Sequence, residues 1–110
     1  MPTKSNYLIS AVCYNAGRSK ITHLRVHNDL GDKIGPSFIQ TREQVIRSIE
    51  GYNFYCTIFQ RQDGYWEKGA NVNVVQTVYG KYLRTDKNNT PKDNLSNLPE
   101  FTLSYSYNYR

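Results

Sequence analysis

Tyr65, Trp66 and Lys68 lie side by side in the chain, and so do Tyr79, Lys81, Tyr82 and Arg84. Rings that stack bases beside cations that meet phosphates are what single-strand binders use. The chemistry read here assigns Arg84, Lys68 and Lys81 to phosphate, and Tyr65, Trp66 and Tyr82 to stacking. The same residues would also serve as packing over sheet edges. Many asparagines beside ten tyrosines would suit a sugar-binding surface as well.

A second cluster runs from Arg84 through Asp86, Asp93 and Asn94 to Pro99, dense in turn-forming residues. Asp86, Asn88 and Thr90 alternate like the start of an EF-hand loop. That loop needs Gly at its sixth position and Glu at its twelfth, where this chain has Pro91 and Asn97. The better reading is a clasp. Asp and Asn side chains bond nearby amides and hold turns. Arg84, Thr85, Asp86, Asp93 and Asn94 form it, and Leu95 and Leu98 pin it to a core.

Other arrangements fail on spacing. His23 and His27 would sit ~13 Å apart on a strand, too far to share a metal. Gly64 and Gly69 have the P-loop separation, but Ala70 stands where Lys is required. Asp63 and Glu67 flank a tight hairpin, with Trp66 between them. No constellation demands catalysis, so a non-enzyme without cofactor or metal is expected.

Composition sets the frame for these residues. The chain has 110 residues, 38% hydrophobic and 21% charged, with a formal net charge of +5. That is one globular domain's worth of core. The basic balance favours an anionic partner, although no run of basic residues concentrates it. Cys13 and Cys56 stand in strand-like runs without neighbours at metal-ligand spacing, and read as small buried hydrophobes. The N-terminus carries no apolar run and no 18-residue apolar stretch exists, so a cytoplasmic protein away from membranes is expected.

The elements that must position these groups are mostly strands. Tyr7 to Tyr14 reads as a central strand, apolar nearly throughout. Ile21 to His27 alternates, with Thr22, Leu24 and Val26 on one side and Ile21, His23, Arg25 and His27 on the other. Asn28 to Pro36 reads as a surface loop. Thr41-Arg42-Glu43-Gln44 has capping-box form and opens a helix of about ten residues. Its apolar stripe is Val45, Ile46 and Ile49, and Gly51 ends it. Asn53 to Phe59 is a strand, and Gln62-Asp63-Gly64 turns it back through Tyr65 and Trp66. Lys68-Gly69-Ala70 marks a bulge, and Val72 to Val78 and Lys81 to Thr85 follow as strands. Phe101 to Arg110 alternates with period two, which suits an extra edge strand or a strand offered to another subunit.

This order of features resembles a small bacterial and phage-associated domain of unknown function. The residues that carry the likeness are Tyr7 to Val12, Thr41 to Ile46, Lys68 to Val72, Tyr82-Leu83-Arg84-Thr85-Asp86, and Asp93-Asn94-Leu95 with Leu98-Pro99. It spans about residues 5 to 100 and implies one compact domain, with no reaction attached.

The expectation is an α+β fold. A twisted, mainly antiparallel sheet of about five or six strands, curling toward a barrel, carries one helix. Residues 1–100 form the domain and 101–110 a tyrosine-rich tail. The expected function is a non-catalytic binding module for nucleic acid or a nucleotide. A homo-oligomeric interaction domain, paired through the tail, and a carbohydrate-binding module are the alternatives.

Overall fold

A computed structural model describes residues 5–86, 91–95 and 98–103. The strands are β1 (Tyr7–Tyr14), β2 (Ile21–Asp29), β3 (Ile34–Thr41), β4 (Tyr55–Gln60), β5 (Trp66–Thr77) and β6 (Gly80–Arg84). One helix, α1 (Arg42–Glu50), lies between β3 and β4. The strands form one six-stranded sheet in the order β3-β2-β1-β4-β5-β6. The expected α+β class stands, with a single helix among the described residues, but the sheet is mixed. β1 and β4 run parallel because α1 carries the chain across the sheet between β3 and β4. The sheet twists without closing into a barrel, and β3 and β6 remain its two ends.

Thr41 caps α1 as its sequence predicts. Its hydroxyl accepts from the Gln44 amide at 3.1 Å, and the Gln44 side chain accepts from the Thr41 amide at 2.8 Å. So short a helix needs tertiary support. Val45 and Ile46 are buried against Leu24, Val26, Tyr55, Val72 and Leu83, with Ile49 packed alongside. Burying each of the first two contributes about 2 kcal/mol. Tyr55 anchors the same layer, its ring stacked on Tyr7 at 5.0 Å and its hydroxyl donating to Gln40 at 2.7 Å.

Two sequence readings change. Ile21 is buried with Leu24 and Val26 instead of facing the opposite side, because a register shift at Cys13/Tyr14 turns the start of β2. The stretch read as a loop from Asn28 to Pro36 is mostly strand. β2 runs to Asp29 and β3 starts at Ile34, and Pro36 is tolerated because β3 is an edge.

The sheet's other face has a smaller apolar cluster of Leu8, Cys56 and Ile58, with Ile34 against it. Cys13 and Cys56 are buried free thiols, and burial pushes the Cys56 thiol up. The expected bulge lies at Gly69 and Ala70, which together face Thr57 between the Cys56–Asn71 and Ile58–Lys68 pairs. Thr57 is the reason for glycine there: a Cβ on Gly69 would meet its Oγ1 at 2.5 Å.

β1 changes partner midway. Tyr7 to Ile9 pair with β4, but Val12 pairs with the chain's end: its amide donates to the Pro99 carbonyl and its carbonyl accepts from the Phe101 amide, each at 2.9 Å. Residues 104–110 lie outside the described residues.

Candidate ligand groove

β5 and β2 are separated in the sheet by β4 and β1, about 14 Å if the sheet were flat. Yet the Lys68 ammonium is 2.8 Å from the Asp29 carboxylate, and the Trp66 and His27 ring centroids are 6.5 Å apart. The bulge at Gly69 lets the β4–β5 hairpin bend, and the sheet curls at this end. Between that hairpin and the β2–β3 arm lies a groove of about 750 Å³. Its floor is Leu8, Ile34 and Ile58, and Tyr65 and Trp66 stand along one side. That volume and an apolar floor with a few polar groups are usual for a small-ligand site.

Asp29 is the pivot. Burial pushes its carboxyl up, but bonds from the Lys68 ammonium, the Ser5 hydroxyl and the Gly31 amide outweigh burial and hold it below its ordinary value. His27 is fixed on both nitrogens. The Gly35 carbonyl, 2.9 Å from Nδ1, can only accept, so Nδ1 carries the proton. In the neutral ring Nε2 then accepts from the Ser10 hydroxyl at 2.8 Å. That is the hydrogen bond a general base makes to a nucleophile. Ser10 is buried, however, and does not line the groove, so the pair serves to tie β1 to the β2–β3 arm.

The groove's charges nearly cancel. Among the described residues three carboxylates (Asp29, Asp32, Glu67) face two ammonium groups (Lys33, Lys68). Asp29 is spent on Lys68, and Glu67 approaches Arg61 at 3.3 Å. The Trp66 indole N–H and the Tyr65 phenol make no hydrogen bond to the described residues.

Of the six residues read from sequence as ligand contacts, Tyr65, Trp66 and Lys68 meet in this groove. Lys81, Tyr82 and Arg84 do not. Tyr82 pairs with Val75, about 23 Å along β5 from Lys68. The Lys81 ammonium bonds Glu50 at 2.6 Å, and the Arg42 guanidinium lies 5.6 Å from the Tyr82 ring centroid. Arg84 is turned inward. Its Nε and Nη2 reach Asp86 at 2.8 and 3.1 Å, and its Nη1 donates to the Lys92 carbonyl at 2.8 Å. The bond to Asp86 raises the guanidinium further above its ordinary range.

The loop residues sit along β6. The Asn94 amide donates to the Leu83 carbonyl at 2.8 Å, and the Thr85 amide donates to the Asn94 carbonyl at 3.0 Å. Asp93 is buried and accepts from the Ile21 amide, the Leu83 amide and the Arg42 guanidinium, the last at 2.8 and 3.1 Å. Asn88 and Thr90 lie outside the described residues, and among those described no group of three or more His, Cys, Asp or Glu could hold a metal.

Asp29 and Arg42 are the residues the sequence reading missed. Arg42 had one available signal: a cation in a helix's first turn opposes the helix dipole, so it needs a carboxylate nearby. Asp29 had none, because it sits in a stretch rich in turn residues.

A family model described as "Protein of unknown function (DUF3892)" matches residues 9–99. No curated protein and no solved structure matches the chain. Among the described residues no helix is long and apolar enough to cross a membrane.

Proposed function

The chain belongs to the DUF3892 family, whose description assigns no activity, and we propose that it is a non-catalytic binding module whose ligand occupies the groove between the two arms. One observation carries this reading. Trp66, its indole N–H unpaired among the described residues, stands beside an apolar floor in a cavity large enough for a ligand. The rings supply contact area at low entropic cost, and the Lys68–Asp29 pair holds the wall in place before a ligand arrives.

Nucleic acid or a nucleotide is the ligand that interleaved rings and cations suggest. Lys68, Lys81 and Arg84 each pair with a carboxylate, so that reading rests on the stacking of Tyr65 and Trp66 rather than on charge. Association between copies is a second reading, supported by the exposed apolar side chains of Tyr52, Val78 and Tyr79. Sedimentation across a concentration series tests it.

The groove reading is tested by amide chemical-shift mapping with glucose, N-acetylglucosamine, adenosine and adenosine monophosphate as probes. Shifts gathered on residues 29–37 and 64–68 for at least one probe are expected. Shifts confined to a second hollow, lined by Ile49, Tyr52, Phe54 and Asn71, or none, would remove the groove from consideration.

A further inference from the structure

We infer that the groove takes an uncharged oligosaccharide, its sugar rings laid against Trp66 and Tyr65. The inference rests on the groove reading above and adds the ligand's chemical class. Charge is the first ground. Among the described residues the groove's charges nearly cancel, and the central ammonium, on Lys68, is already bonded to Asp29. Glu67 approaches Arg61, so a phosphate entering here would find one further ammonium, on Lys33, with the Asp32 carboxylate in the same lining to repel it. An uncharged ligand escapes that cost.

Shape and polarity are the second ground. A pyranose has flat C–H faces and a rim of hydroxyls that both donate and accept. Trp66 and Tyr65 follow one another on the hairpin and are partly to largely exposed, at 43% and 71%. Polar groups are within the same lining: the Ser37 hydroxyl, the Asp32 carboxylate and the Lys33 ammonium. Together with the indole N–H they include donors and acceptors.

Trp66 is the chain's one tryptophan, so its emission reports on the groove and nowhere else. The test is a fluorescence titration of the full chain with cellohexaose, chitohexaose and maltohexaose, and separately with an oligothymidine, at about 50 and about 500 mM NaCl. At least one hexasaccharide should shift the emission saturably, with the same midpoint at both salt concentrations. Tyr65→Ala should weaken that binding by about tenfold, the loss usual for an aromatic anchor. Phe54→Ala, away from the groove, should leave it unchanged. A response to oligothymidine alone, lost at high salt, would overturn the sugar assignment while keeping the groove as a site. No response to any hexasaccharide, with probe shifts still mapping to the arms, would likewise overturn the sugar assignment alone. Silence in both experiments would overturn the groove as well.

Discussion

Lys68 and Asp29 meet at 2.8 Å although two strands separate them in the sheet. The contact turns an ordinary hairpin into one wall of a groove. The Asp29 side chain is nearly covered at 7% exposure, while Lys68 keeps about a third of its own. A half-exposed pair of this kind contributes about 1 kcal/mol or less. Its larger effect is on where Trp66 stands.

Lys68→Met should therefore raise the Asp29 carboxyl toward its ordinary value, because burial is then opposed only by the bonds from Ser5 and Gly31. In the parent chain this group's pKa is depressed. Its contribution to stability is thus complete above the unfolded carboxyl value of 3.8 and is lost as the pH falls below it. Carbon-detected titration of the Asp29 carboxyl checks the shift. An unchanged midpoint in Lys68→Met would mean the pair is absent in solution.

Asp93→Asn should be among the most damaging single changes. The carboxylate satisfies two backbone amides and the buried Arg42 guanidinium at once. Leaving Arg42 buried without its counter-charge costs about 3–5 kcal/mol. Domains of this kind have about 5–15 kcal/mol in total. Urea unfolding measures the loss, and a change under about 1 kcal/mol would contradict the role assigned to Asp93.

Arg84→Ala separates loop support from ligand contact. The guanidinium is directed to Asp86 and the Lys92 carbonyl, so its removal should lower stability by about 1–3 kcal/mol. Binding in the groove should be unaffected. Weakened binding with an unchanged melting temperature would restore Arg84 as a ligand contact.

Gly69→Ala should destabilise by about 1–3 kcal/mol, since the new methyl would displace the Thr57 hydroxyl that accepts from the Ala70 amide. It should also disturb the resonances of Trp66 and Lys68, because the bulge sets the hairpin's direction. Thermal melts and a single heteronuclear spectrum check both. A silent substitution would show that the bend arises elsewhere.

What was legible in the sequence was local. The capping box at Thr41 and Gln44, the stripe of Val45, Ile46 and Ile49, and the bulge at Gly69 each depend on neighbours within a few residues. β3 was hidden because Gly35 and Pro36 look like loop residues unless the strand is known to be an edge. The parallel pairing of β1 with β4 depends on where α1 delivers the chain, which no local pattern encodes. The candidate site divides the same way. Tyr65, Trp66 and Lys68 were found as neighbours in sequence, whereas Asp29 and His27 join them only through the curl of the sheet. Lys81, Tyr82 and Arg84 looked equivalent because composition cannot tell that β6 pairs with the far end of β5 from Trp66 and Lys68.

The groove exists only if the β4–β5 hairpin folds toward β2, and nuclear Overhauser contacts between the Trp66 indole and the His27 imidazole test that directly. With ring centroids 6.5 Å apart, cross-peaks between the two side chains are expected in the unliganded protein. Their absence, with the β4–β5 backbone contacts intact, would mean the hairpin stands away from β2 and that no groove is formed.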